Sequence, residues 1–133
     1  MRDYARQQTA LQLRWMALAL HRAAREGDPD SIHDVRVAMR RLSRCLRVFS
    51  AFYPHGAAKK IRRRISALMA LAGAARDCDI AIELVGRSGV AGVGGMVAQL
   101  AGRRAETGRA LLLEIRRWKR RNFARQWRRR LEL

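Results

Sequence analysis

The 133-residue chain sets 29 Lys and Arg against 11 Asp and Glu, a formal charge of +18. Its length suits one domain with a real core, and its Ala, Leu, Arg and Met excess over β-branched and aromatic residues predicts an all-α fold. Two cysteines cannot build a disulfide framework, no uncharged run is long enough to span a membrane, and so large a charge excess points to a polyanionic partner.

The first helix is expected from about Asp3 to Arg25, with Leu11, Trp15, Leu18 and Arg22 at helical spacing. Its short apolar run, Trp15 to Leu20, is too brief for a signal segment. Gly27, Asp28 and Pro29 end it, and Asp28-Pro29 is also an N-cap followed by proline at the first helical position, with Ser31 as a rival cap. The second helix then runs to just before Pro54.

The third helix is expected from Gly56 or Ala57 to about Val85, with Gly73 as a candidate kink. Gly86 to Gly95 reads as a flexible connection, because it lacks the GxGxxG pattern of a nucleotide cradle. The fourth helix runs from about Met96 into the C-terminus. Nine of its fifteen residues from Arg116 to Arg130 are basic, and Trp118, Phe123 and Trp127 are interleaved with them. Two readings stand: a helix that packs its aromatics and solvates its arginines, or a second anion-binding element or arm docking on another subunit. Together the segments predict an antiparallel four-helix bundle, a single domain over residues 1–133. Cys45 and Cys78 would lie roughly 20 Å apart along the paired helices, too far to bridge, and read as buried thiols in a reducing cytoplasm.

The second helix carries the sharpest pattern. His33, Arg36, Arg40, Arg44 and Arg47 are spaced 3, 4, 4 and 3, which confines them to an arc of roughly 80° over about 21 Å of helix. Ile32, Val35, Met39, Leu42, Leu46, Phe49 and Tyr53 occupy the opposite, core-facing side. Between Val35 and Arg76 there is no acidic residue, whereas solvated helix faces normally mix signs at i,i+4. Of the 29 basic residues 26 are arginine. GC-rich coding could produce that bias, and so could the guanidinium fork's bidentate grip on phosphate. No His, Cys and acid cluster shows metal-ligand spacing, and no nucleophile sits beside an evident base. The expectation is a binding module with no catalytic residue and no cofactor.

The run IHDVRVAMRRLSRCLRVF (Ile32 to Phe49), followed by GAARDCDI (Gly73 to Ile80), resembles the conserved-histidine α-helical, or CHAD, domain family. The matching part covers about residues 25 to 85; the remaining helices match in character. The resemblance implies helical bundles that bind inorganic polyphosphate through basic residues lining a groove or pore, association with polyphosphate granules in the cytoplasm, and no catalysis. Carried over by position, the binding residues are His33, Arg36, Arg40, Arg41 and Arg44, with Arg47 extending the row. Lys59, Lys60, Arg63 and Arg64 would form the facing wall. Arg76, Asp77 and Asp79 are expected to form supporting ion pairs that orient nearby arginines.

Members of that family contain two bundles related by pseudo-symmetry, whereas this chain carries one copy of the motif and no internal repeat. It therefore resembles one half of a two-bundle arrangement, and a homodimer, or else a separate partner chain, is expected to supply the other half. A charged His33 would add to the anion site, so affinity should rise as pH falls through the histidine range. The main rival is a nucleic-acid-binding or condensing protein, although the ridge carries no aromatic to stack on bases. A phosphohydrolase would need clustered carboxylates to hold metal, and only Asp77 and Asp79 lie close together.

Overall fold

Gly27 makes the first corner of the molecule by adopting a left-handed conformation, φ 61°, while its N–H bonds the carbonyl of Ala23. Only glycine enters that region without a steric cost. Asp28 then caps the next helix: its carboxylate accepts from the Ser31 N–H at 3.2 Å, and the Ser31 hydroxyl donates back to the Asp28 carbonyl at 2.9 Å. The hydrogen bond to Ser31 holds the Asp28 carboxyl below the ordinary carboxylate range. Pro29 fills the first helical position, where no N–H is needed. Asp28 is therefore the cap, and Ser31 works with it.

The computed structural model describes residues 1–133 as α1 (Arg2–Glu26), α2 (Pro29–Val48), α3 (Ala57–Ser88), α4 (Gly94–Arg120) and α5 (Phe123–Leu131), with a 3-10 turn at Ser50–Phe52. No strand is present. Consecutive long helices pack as antiparallel hairpins, α1 on α2, α2 on α3 and α3 on α4, while α1 and α4 touch more sparingly. One apolar cluster runs through all of them, including Leu13, Met16, Leu20, Ile32, Val35, Met39, Leu42, Leu46, Ile61, Ile65, Leu68, Leu111 and Ile115. The back face expected for α2 is this core, with Phe49 half-buried against the rings of Tyr4 and Phe52.

Four boundaries differ from the sequence reading, the first being that of α2, which stops at Val48 and gives way to the 3-10 turn instead of running on to Pro54. α3 continues past Val85 to Ser88 and α4 starts at Gly94, so the glycine-rich connection shrinks to Gly89–Val93. Gly73 lies inside an unbroken α3. The expected fourth helix is two: the chain turns at Arg121 and Asn122, the latter at φ 49°, a conformation asparagine tolerates better than most residues. On α1 the row Leu11, Trp15, Leu18 and Arg22 faces outward, and Ala5, Thr9, Leu13, Met16, Leu20 and Ala23 are the buried side.

α5 closes one end of the bundle. Phe123, Trp127 and Leu131 are buried, and Trp118, Phe123 and Trp127 form a triad of tilted rings with centroids 5.1 to 5.4 Å apart. At the same end Tyr53 donates to the Ala5 carbonyl, and the Thr9 hydroxyl touches both the Tyr53 hydroxyl and the Cys45 sulfur. This polar chain pins α1 to the α2–α3 turn. Burial pushes the Cys45 thiol up, so it stays protonated. Cys45 and Cys78 are free, and no helix is long and apolar enough to cross a membrane.

Candidate functional site

The core stripe of α2 fixes where its basic residues point. With Val35, Met39, Leu42 and Leu46 inward, the 100° advance per residue turns His33, Arg36, Arg40, Arg44 and Arg47 outward on one side. Arg40, Arg44 and Arg47 line a shallow groove of about 240 Å³ against α3, whose floor is Met39, Ser43, Ile65, Ser66 and Met69. His33 is exposed, and its imidazole makes no hydrogen bond within the chain. Arg36 is half-buried, and its Nε, fully shielded from solvent, finds no acceptor in the protein.

The facing wall differs from the expected one. Ser66 and Met69 border the groove, and helical spacing places Arg62, Gly73 and Arg76 in their row, within an arc of about 80°. Arg62 shares the property of Arg36: its Nε is buried without a partner. On the α3 side the groove is lined by Ile65, Ser66 and Met69, and Arg62 and Arg76 extend that row beyond its two ends; Arg62 is the basic residue that sequence reasoning missed. Its signal was present in the i,i+4 relation to Ser66, but only the position of α2 shows which side of α3 matters.

Five expected residues lie elsewhere. Arg41 turns into a separate groove between α1 and α2, beside Trp15, Leu18 and Asp34. Lys59, Lys60 and Arg63 lie on the outer side of α3, with His55 and Arg130 of α5. Arg64 stacks over Trp118, its guanidinium carbon 5.4 Å from the ring centroid, a contact that covers the aromatic triad. Crowding explains the scatter: Lys59, Lys60, Arg62, Arg63 and Arg64 cannot share one face within two turns.

The ion pairs of the molecule show what the groove lacks. Arg6, Arg22, Arg87, Arg104 and Arg117 each hold a carboxylate within 4.0 Å. No cation from Arg36 to Arg76 is so paired, although arginines at i,i+4 repel one another. Arg47 is partly compensated by the carbonyl end of α2. Of the others, Arg64 lies over Trp118, and the rest have no partner of opposite charge in the protein.

Of the expected supporting residues, Asp79 forms an ion pair, but with a partner on another helix. Arg104 of α4 donates Nε–H to Asp79 Oδ1 at 2.8 Å and a terminal N–H to the Gly27 carbonyl at 2.8 Å. One guanidinium thus ties α3, α4 and the corner where α2 starts. Gly108 makes room for it, since a Cβ there would stand 2.5 Å from a guanidinium nitrogen. Arg76 has no carboxylate partner; Asp77 is exposed and unpaired. No three His, Cys, Asp or Glu side chains converge as a metal site would require.

Fold and groove together define an arginine-rich helical domain with an unpaired cationic channel between two antiparallel helices. The model of the CHAD domain family matches residues 7–133, and the chain belongs to that family. The match extends the resemblance from residues 25–85 to nearly the whole chain. No curated protein and no solved structure matches it.

Proposed function

We propose that the chain binds inorganic polyphosphate, without catalysis, along the groove between α2 and α3. The observation that carries this reading is the row of unpaired arginines along the groove. Arg40, Arg44 and Arg47 line it, Arg36 continues their row on α2, and Arg62 and Arg76 continue the row of its α3 side; none holds a carboxylate. A chain of phosphates, each with about one charge and no base or sugar to read, needs closely spaced donors and little else. The buried Nε–H groups of Arg36 and Arg62 gain most, because an unmet buried donor costs about 1–3 kcal/mol. Family membership supports the same ligand, and localisation on polyphosphate granules in the cytoplasm follows from the reading.

A groove open to solvent on one side encloses nothing, so the reading includes a homodimer whose two grooves face one another. The outward row Leu11, Trp15 and Leu18, each more than two-fifths exposed, offers apolar surface for that contact beside Arg41. Light scattering at micromolar concentration with polyphosphate present should give twice the monomer mass; a monomer rejects the dimer.

Nucleic acid is the competing partner. Its aromatic support is weak here, because Trp118 and Trp127 are buried and cannot stack on bases. Long-chain polyphosphate competed against DNA and RNA of matched charge at physiological salt decides between them. Preference for polyphosphate, lost in Arg36→Ala/Arg40→Ala/Arg44→Ala, supports the proposal, and equal affinities favour nucleic acid.

A further inference from the structure

A second cationic pocket lies around α3 from the groove. His55, Lys59, Lys60 and Arg63 approach it from the start of α3, and Arg130 completes it from α5; no acidic residue lines it. Its volume, about 560 Å³, exceeds that of the α2–α3 groove. Lys59 and Arg63 repel one another at i,i+4, and Lys59 and Lys60 sit in the first turn, against the positive end of the α3 dipole.

Arg130 is delivered there by packing. It lies between Trp127 and Leu131, which are 0 % and 1 % exposed, so anchoring α5 brings another like charge to the pocket. Beyond it the chain end is fastened as well: the Glu132 and Leu133 N–H groups bond the Arg129 and Arg128 carbonyls. Glu132, the nearest acid in sequence, reaches the other way to Arg6 at 3.9 Å. A side chain that only needed water would gain nothing from this placement.

The two basic sites are contiguous. Around the start of α3, Arg62 continues the row of the groove wall, Lys59 lies about 60° further round and Arg63 about 100°. Arg47 at the end of α2 leads to the same turn. We propose that the pocket of His55, Lys59, Lys60, Arg63 and Arg130 is a second phosphate-binding site, which takes up the same polyanion after it leaves the α2–α3 groove. The inference rests on the polyphosphate reading of the groove, and it gives α5 a role as the far wall of the ligand path.

The test is calorimetric titration of the full chain with long-chain polyphosphate over a series of salt concentrations. Lys60→Ala/Arg130→Ala should lower affinity at least fivefold near 0.1 M salt and flatten the slope of log K against log salt by about 1.5. The control Arg14→Ala/Arg125→Ala removes two exposed cations outside both sites, and should change affinity less than twofold. Equal effects of the two double variants would mean that only net charge is felt, and would overturn the second site. If Arg40→Ala/Arg44→Ala weakens binding while Lys60→Ala/Arg130→Ala does not, the inference falls and the groove stands. If the groove variant also has no effect, the polyphosphate reading falls with it.

Discussion

Arg104 and Arg40 are the same residue in opposite circumstances. Arg104 is nearly buried, its Nε–H on Asp79 and a terminal N–H on the Gly27 carbonyl, and Gly108 leaves it space. Arg40 stands exposed at the rim of a groove with arginines on either side along its helix and no carboxylate in reach. The first arrangement is closed: two of its guanidinium nitrogens are directed at the protein itself, and removing a partner costs folding energy. The second is open, and its donors are available to something else. Partnership, more than residue type, separates structural arginines from binding arginines in so basic a chain.

Breaking the closed end should give the largest effects, on stability. Trp127→Ala empties the middle of the aromatic triad and should cost about 3–5 kcal/mol. Urea denaturation reads this directly, and a loss below about 1 kcal/mol would show that α5 is not fastened as described. Asp79→Asn removes the charge opposite Arg104 inside the bundle and should cost about 3 kcal/mol. Polyphosphate affinity per folded molecule should stay unchanged in that variant; a parallel loss of affinity would erase the distinction between the two regions.

Breaking the open end should move binding instead. Arg36→Ala/Arg40→Ala/Arg44→Ala should lower polyphosphate affinity on the order of a hundredfold at low salt and reduce the salt slope by two to three. Its melting temperature should hold or rise slightly as like-charge repulsion is relieved. A marked drop in melting temperature would assign those arginines to the structure after all.

His33 should give the smallest change. Asp30, Asp34 and Arg36 neighbour it on α2, Asp34 being engaged by Arg22 at 2.8 Å. Antiparallel pairing of Arg40 with Met69 brings it level with Arg76 and Asp77 of α3. His33→Gln should weaken polyphosphate binding no more than a few-fold, measured by calorimetric titration at a single pH. An unchanged affinity removes His33 from the site.

Much of this division is legible in the order of the residues. The α2 stripe of Ile32, Val35, Met39, Leu42 and Leu46 has a single helical reading, and it determines the ridge opposite. The wall on α3 is not legible there, because five bases in six residues occupy nearly every direction and only α2 selects Arg62. Arg41 follows the family motif while its angle on the helix places it with α1. On α1 two rows of equal periodicity compete, and the buried one is disguised by Ala5 and Thr9, whereas the exposed one displays Leu11, Trp15 and Leu18. The Asp79 partner lies 25 residues away on another helix, beyond any local spacing rule. The turn at Asn122 carries neither glycine nor proline to announce it.

The outward placement of Trp15 makes the molecule an optical instrument. Trp118 and Trp127 are 3 % and 0 % exposed, so of the three indoles only Trp15, at 55 %, meets water and collisional quenchers. Its fluorescence reports on the α1–α2 groove, while the two shielded indoles supply an internal reference within the same spectrum. A second copy covering α1 would shift the Trp15 emission to shorter wavelength and protect it from iodide. A phosphate chain confined to the α2–α3 groove would leave it as it is.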